Sequence, residues 1–170
     1  LFRYPVFNAD LVVSNLYQKD KFLFRKIKKK FPNKISNFPL KKEELLKIIF
    51  QKQKNLNVLG KIIHPIVRKK MKHFFKVNKK KRFVVLDIPL FFENKLNTKK
   101  DIIVFIQADK KKINQKLNKR KNINLKLINI LRKNQFSSKL KKKRSTYIIK
   151  NNFVRNTAKK NVKLILKKII

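Results

Sequence analysis

Two short, strongly apolar runs constrain the fold of this chain more than any other feature. They span residues 83–88 and 102–106, and stretches of helix-like apolar spacing precede the first run and follow the second. Continuous apolar runs are typical of parallel strands that helices cover on both faces. Residues 4–10 and 147–149 are interpreted as further short strands. Strands that alternate with helices predict an α/β fold with a parallel sheet flanked by helices.

Helical spacing of apolar residues dominates the remaining segments. It predicts that residues 19–81 are mainly helical, with a break or kink at His64 because a proline follows it. A very basic helical segment is predicted over residues 110–135, and an amphipathic closing helix around residues 162–169. The 170 residues have the length of one ordinary domain, and no linker rich in Gly, Ser or Pro interrupts them. We therefore expect a single domain.

The charge balance of the chain is extreme. Its 49 Lys plus Arg residues stand against 8 Asp plus Glu, a formal net charge of +41, which by itself would indicate nucleic-acid binding. Lys, Asn, Ile, Leu and Phe dominate, while Gly occurs once and Trp and Cys are absent, which is typical of a coding sequence poor in G and C. The lysine triplets are also scattered along the chain. We therefore interpret the charge as a solvated surface.

The sequence carries no sign of a membrane span or a secretory leader. No apolar run approaches the roughly 18 residues that a spanning helix needs, and the first residues lack a charged region followed by a long apolar one. A cytoplasmic location is the expectation. Because cysteine is absent, disulfides and thiolate metal sites are excluded.

Polar residues lie at or just beyond the carboxyl end of each predicted strand. They are Asp10, Asp87 with residues 89–93, Gln107 with Asp109, and Asn151. Open parallel sheets bind ligands beyond the carboxyl ends of their strands, so these residues carry the functional information. Two carboxylates there could orient a hydroxyl, accept its proton, or hold a magnesium ion through water. Periodicity alone slightly favours a simpler role for Asp87, as a cap of the segment that follows it.

Six blocks of the sequence share their order with the motifs of one family. The blocks are PVFNADLVV, HPIVRKKM, VVLDIPLFFEN, KLNKRKN, LRKNQFSSKLKK and YIIKNN. They resemble, in turn, the Asp-Ala-Asp strand, the His-Pro-x-x-Arg segment, the Asp-x-Pro-Leu-Leu-Phe-Glu strand, the basic lid segment, the Gln-x-Ser-x-x-x-Lys stretch and the last Val-Ile-x-Asn strand of dephospho-coenzyme A kinases. That family transfers the γ-phosphate of ATP to the ribose 3′-hydroxyl of dephospho-coenzyme A, in the last step of coenzyme A biosynthesis. The resemblance implies the same activity on a fold like that of P-loop NTPases.

The resemblance also divides the predicted single domain, residues 1–170, into parts. The parts are a core sheet from residues 1–18 and 82–109, a helical acceptor-binding part at 19–81, a basic helical lid at 110–136, and further core with the C-terminal helix at 137–170.

One motif of the family is missing from the sequence. Members begin with a strand and the loop G-x-x-G-S-G-K-[ST], whose backbone N–H groups hold the phosphates of ATP. This chain has a single glycine, Gly60, in a predicted helical region, and it starts at Leu1 with a segment resembling the strand that comes later. We expect an N-terminally truncated or degraded copy that is inactive without the loop.

The resemblance assigns the catalytic and acceptor-binding roles. Asp10 matches the last Asp of Asp-Ala-Asp and is the predicted base that orients the attacking 3′-hydroxyl. The predicted acceptor-binding residues are His64, Arg68, Asp87, Pro89 and Glu93. The residues alone leave two alternatives open for Glu93, which either orients neighbouring basic groups or faces solvent.

The lid and the adenine side carry three more predicted residues. They are Lys116, Arg120, which matches the arginine of the family's lid, and Asn151, an adenine-side contact. Lys116 stands where arginine is usual, so bidentate phosphate geometry is lost there. Three further departures from the family pattern are Asn8 for the first Asp of Asp-Ala-Asp, Lys121 for the lid Asp, and Lys150 for the Asp before Asn151.

The expected ligands are ATP with Mg²⁺, as a substrate complex, and dephospho-coenzyme A. We expect no tightly bound cofactor, no protein-held metal and no membrane partner, and binding to nucleic acid is disfavoured; the oligomeric state is not determined by the sequence. Two alternatives stay open, a different P-loop kinase acting on a nucleoside or nucleotide, and a basic nucleic-acid-binding protein, which would show steep salt dependence.

Overall fold

The computed structural model describes residues 4–120 and 124–169. The chain divides into two compact units, the first ending at Pro89 and the second beginning at Leu90. Each unit contains a pair of parallel strands with helices packed on it, so the α/β prediction is confirmed. The assignment of residues 1–170 to a single domain stays a prediction.

The first unit is mainly helical. Its elements are β1 (Val6–Asn8), α1 (Ala9–Lys19), α2 (Lys21–Lys30), a short 3₁₀ helix (Pro32–Lys34), α3 (Lys42–Gln51), α4 (Lys54–Val77) and β2 (Val85–Asp87). The predicted helical character of residues 19–81 is therefore confirmed.

The second unit alternates strands and helices. Its elements are β3 (Val104–Ala108), α5 (Lys110–Asn118), α6 (Leu125–Lys133), α7 (Ser138–Lys143), β4 (Tyr147–Asn151) and α8 (Arg155–Ile169). The basic helical segment predicted over 110–135 is thus two helices, each begun by a side-chain cap: Asp109 accepts from the Lys112 N–H and Asn124 from the Leu127 N–H, both at 3.0 Å. Such caps satisfy backbone donors that a helix start leaves unpaired.

The register of the paired strands shows which residues lie at the carboxyl edge of each sheet. In the first unit β1 pairs with β2 in parallel, so that Asn8 lies opposite Asp87 at the carboxyl end of both strands. In the second unit β3 pairs with β4 in parallel, and Ala108 lies opposite Asn151. The strand ends that the sequence indicated therefore do meet at one edge within each unit.

The core of the first unit lies among its helices. Leu23 and Ile27 on one face of α2 are completely buried, as is Ile48 on α3. The strands join this core through Phe7, whose ring centroid lies 5.5 Å from that of Phe74 on α4. Burial of apolar area at about 25 cal/mol per Å² is the main stabilising contribution of such a cluster.

Coverage of the strands on both faces, which their apolar character predicted, is incomplete. Val6 and Val85 lie side by side and are 55% and 41% exposed, and Ile106 of β3 is 53% exposed. Each described sheet has only two strands, so the helices against it leave one face or edge partly open.

Of the break or kink predicted at His64, the break is wrong. Helix α4 runs without interruption from Lys54 to Val77 with Pro65 inside it. Proline in a helix removes one hydrogen bond and costs about 3 kcal/mol. Leu59 and Ile63, six and two residues before Pro65, are buried, and α4 packs against α1, α2 and α3. This packing offsets the cost of the proline.

Among the described residues, none of the helices combines the length and the apolar character that crossing a membrane requires.

Candidate active site

Asn8 links the ends of the two strands in the first unit. Its side-chain oxygen caps α1 by accepting the Leu11 N–H at 2.8 Å, and its Nδ2 donates to Asp87 Oδ2, also at 2.8 Å. One amide therefore starts the helix and fixes a carboxylate at the edge of the sheet. Among the described residues, no backbone N–H donates to the Asp87 carboxylate, so the capping role considered for Asp87 is not observed. Pro89 is exposed two residues beyond Asp87.

Asp10 lies in the first turn of α1 and is exposed. Its position follows from the Asn8 cap. Because α1 begins at Ala9, residue 10 lies in the first turn, where backbone N–H groups have no partner within the helix. The positive end of the helix dipole stabilises a carboxylate there. In the part of the chain that the structure describes, the Asp10 carboxylate has no hydrogen-bond or ion-pair partner, so it is available to a ligand.

His64 and Arg68 lie one turn apart on the same face of α4, and both are exposed. Partial burial lowers the pKa of the His64 imidazole, and the positive charge of Arg68 lowers it further. The imidazole is therefore neutral at pH 7, and Arg68 is the cation of this pair.

Glu93 fixes the position of residues 136–141 within the second unit. Its Oε1 accepts from Lys141 Nζ at 2.7 Å and from the Phe136 N–H at 2.8 Å, and the two charged side chains are only 8% and 15% exposed. The solvent-facing alternative for Glu93 is wrong; it orients a basic group, Lys141. Burial alone would raise the pKa of the Glu93 carboxyl, but these hydrogen bonds outweigh it and lower that pKa.

Lys116 and Asn151 meet through Phe153, a residue that the sequence did not single out. Lys116 Nζ lies 5.0 Å from the centre of the Phe153 ring, and Asn151 Oδ1 accepts the Phe153 N–H at 2.8 Å. Phe153 has a φ of 67°, a left-handed conformation that costs a non-glycine residue about 1 kcal/mol. The contacts bring two of the three predicted ATP-side residues together at the carboxyl end of β4.

The remaining predicted positions are separate from these contacts. Arg120 lies exposed in the turn after α5, where its backbone N–H donates to the Leu117 carbonyl at 2.9 Å. Lys150 is exposed on β4, and Lys121 lies outside the described residues.

The sequence did not indicate the structural roles that three residues have at these edges. Lys141 lies in the block LRKNQFSSKLKK, and the lysine that closes Gln-x-Ser-x-x-x-Lys was the signal that could have drawn attention to it. Asn8 was treated only as a departure from the family pattern. Phe153 follows a polar strand end and gave no signal.

Within residues 4–120 and 124–169, no three His, Asp or Glu side chains come close enough together to hold a metal ion. A cavity of about 430 Å³ lies in the first unit and is lined by residues of α1, α2 and α4, among them Leu16, Lys19 and Lys70. None of the predicted catalytic or binding residues lines it, so this cavity does not mark the predicted site.

Changing Asn8→Asp isolates the link between the strand ends. Aspartate caps a helix as well as asparagine does, but the donor to Asp87 is lost and two carboxylates face each other. We expect the free energy of unfolding at pH 7 to fall by about 1 kcal/mol, the typical loss for one hydrogen bond. Urea unfolding at pH 7 measures the deficit; a variant as stable as the wild type would show that the link is unimportant.

The sequence is similar to that of one family of known proteins. A family model described as dephospho-CoA kinase matches residues 2–156. Among curated proteins, the chain is 34% identical to a dephospho-CoA kinase of Wolbachia pipientis and 33% identical to one of Bartonella quintana, in each case over 85% of this chain and 74% of the relative.

Two solved structures share the fold. The protein TT1252 from Thermus thermophilus superposes with a TM-score of 0.75 at 19% identity, covering 99% of this chain and 86% of that one. A dephospho-CoA kinase from Campylobacter jejuni gives a TM-score of 0.62 at 21% identity, covering 97% and 85%.

Proposed function

Because this chain belongs to the dephospho-CoA kinase family, whose members are ATP-dependent transferases, we propose that Asp10 orients the ribose 3′-hydroxyl of dephospho-coenzyme A and accepts its proton. The observation that carries this proposal is the exposed carboxylate of Asp10, without a partner among the described residues, in the first turn of α1. Phosphoryl transfer asks the protein mainly for positioning and charge stabilisation, so one oriented carboxylate and several cations suffice.

The acceptor is held, in this proposal, by residues of the first unit. Arg68 offers a planar fork of N–H donors that suits the phosphate oxygens of dephospho-coenzyme A. His64 beside it is neutral and offers one donor and one acceptor. Asp87, fixed by the Asn8 amide, is suited to accept a hydrogen bond from a ribose hydroxyl, and Pro89 borders it.

ATP is bound, in this proposal, by residues of the second unit. Arg120 has the charge and the exposure to neutralise the phosphate in transfer, and Lys116 adds a second cation held beside Phe153. Asn151 contacts the adenine side. Mg²⁺ enters with ATP as part of the substrate. The acceptor-binding role of Glu93 stays a prediction, and its two contacts within the second unit support a positioning role there.

The phosphate-binding loop is a separate requirement. With one glycine in 170 residues, the sequence contains no loop of the family's glycine-rich pattern. We propose that these residues transfer phosphate only when such a loop is supplied, because its N–H groups hold the phosphates in line with the acceptor.

The test joins a first strand and a glycine-rich loop of the family's pattern to the N-terminus of this chain. With ATP and Mg²⁺, we expect formation of ADP that depends on dephospho-coenzyme A, and no ADP from the chain without the loop. Coenzyme A is the matched control, since its 3′-position already carries phosphate. ADP formation at the same rate with coenzyme A would contradict the assignment of the acceptor.

A binding measurement tests the acceptor residues without any turnover. Calorimetric titration of the chain with dephospho-coenzyme A should give a Kd that rises about tenfold in Arg68→Met, the loss expected for one charge-assisted contact. Titration with DNA of mixed sequence over a range of salt tests the nucleic-acid alternative in the same experiment series.

A further inference from the structure

The single glycine of the chain stands in an unusual place. Gly60 lies inside α4, where glycine is the least favourable residue after proline. Neither a turn nor a left-handed φ requires it, because the φ of Gly60 is not positive. Composition does not explain it either, since glycine occurs once in 170 residues. What distinguishes the position is its neighbour one helical turn onward, His64.

The imidazole of His64 occupies the space that a side chain at position 60 would need. A Cβ built on Gly60 would lie 3.2 Å from His64 Cε1, 3.4 Å from Nε2 and 3.8 Å from Nδ1. The first of these distances is tighter than ordinary van der Waals contact, so even a methyl group would displace the ring by a few tenths of an ångström. The ring therefore lies against the helix at Gly60, in the space that a side chain there would need.

We propose that Gly60 is a positioning residue for His64: by having no side chain, it lets the imidazole lie back along α4 on the face that also carries Arg68. This inference rests on the proposed function of His64 and Arg68 in binding the acceptor. The helical positions 60, 64 and 68 share one face at intervals of four residues. With the ring held back at position 64, the guanidinium of Arg68 is the group that meets an incoming phosphate.

The retracted ring also explains the state of the imidazole. Its contact with the helix removes water from one side of the ring, and this burial is the larger cause of the lowered pKa of His64, with the charge of Arg68 second. A ring displaced into solvent loses the first effect. Protonation then adds a second positive charge beside Arg68 and removes the acceptor nitrogen.

The experiment is a series of variants, Gly60→Ala and Gly60→Leu, with the two histidines of the chain titrated by NMR. We expect the pKa of His64 to rise toward its usual range in the order Gly, Ala, Leu, while the signal of His73, on the same helix, stays in place as an internal reference. Lys69→Ala is the matched control, because Lys69 stands four residues before His73 as Gly60 does before His64. This control should leave the His64 titration unchanged.

An unchanged His64 titration in folded Gly60→Leu would overturn the proposal. Should that variant not fold, Gly60→Ala decides the question by the same criterion, since its methyl group already lies within the contact distance of the ring. A purely structural role for Gly60 would change the melting temperature without moving the His64 titration, and this result also contradicts the proposal.

Binding of dephospho-coenzyme A separates this inference from the proposed function. If Gly60 acts through His64, Gly60→Leu should raise the Kd severalfold, and the same change in a His64→Ala background should add little. A wild-type chain that does not bind the acceptor contradicts the proposed function, while the NMR titration still decides whether Gly60 positions the ring.

Discussion

Replacing Asp10 with asparagine in the chain supplied with a phosphate-binding loop is expected to lower kcat at least about 100-fold, with little change in the affinity for ATP. Asparagine has the same shape and still accepts a hydrogen bond, but it cannot take the proton of the 3′-hydroxyl. Positioned general bases typically contribute between about 100-fold and 10,000-fold to a rate. The measurement is the rate of ADP formation at saturating dephospho-coenzyme A, with ATP binding measured separately.

Asp20→Asn is the matched control for that experiment. Asp20 also begins a helix, where its Oδ1 accepts the Leu23 N–H at 2.8 Å, and asparagine is an equally good cap. We expect this control to retain its rate and its stability. Full activity in Asp10→Asn would remove Asp10 from the catalytic role, whereas a loss of ATP binding in both variants would indicate a folding defect.

Replacing Lys141 with methionine is expected to lower the free energy of unfolding by about 3 kcal/mol. Methionine keeps most of the apolar stem but leaves the Glu93 carboxylate buried without its ion-pair partner; among the described residues, only the Phe136 N–H still donates to it. Removing one partner of a buried ion pair typically costs about 3 to 5 kcal/mol, because the other charge stays uncompensated. Urea unfolding at pH 7 measures the difference, and a change below about 0.5 kcal/mol would show that the pair contributes little.

The double variant Glu93→Gln with Lys141→Met separates the charge from the packing. Without either charge, the deficit should be much smaller than in Lys141→Met alone. The pH dependence follows from the lowered pKa of Glu93. Its contribution is present above the unfolded value, about 4.3, and is lost as pH falls through the lower folded value. Wild type should therefore lose more stability than the double variant on acidification below about pH 4.

The sequence predicted those parts of the fold that depend on local pattern. Apolar runs placed strands β2 and β3, helical spacing placed the helices of the first unit, and the order of strands and helices indicated the fold class. The break at His64 failed for a physical reason, since the burial of Leu59 and Ile63 outweighs the local effect of Pro65. A rule based on the residue before a proline takes no account of this tertiary packing.

The contacts at the candidate site depend on pairs that are distant in sequence. Asn8 and Asp87 are 79 residues apart, and Glu93 and Phe136 are 43 apart. Periodicity places each residue on its own element but does not indicate which side chain it meets. The catalytic and binding roles came from the family resemblance; these roles, like the cytoplasmic location, stay predictions.

The hydrogen bond from Asn8 to Asp87 exists only because the codon at position 8 encodes asparagine and not aspartate. Codons for asparagine and aspartate differ only in their first base, A in one and G in the other. A coding sequence poor in G and C, which the amino-acid usage of this chain indicates, favours the asparagine codon. One nucleotide therefore decides whether residues 8 and 87 carry one negative charge or two. In this way, mutational bias in the DNA affects a residue close in sequence to Asp10, the proposed catalytic base.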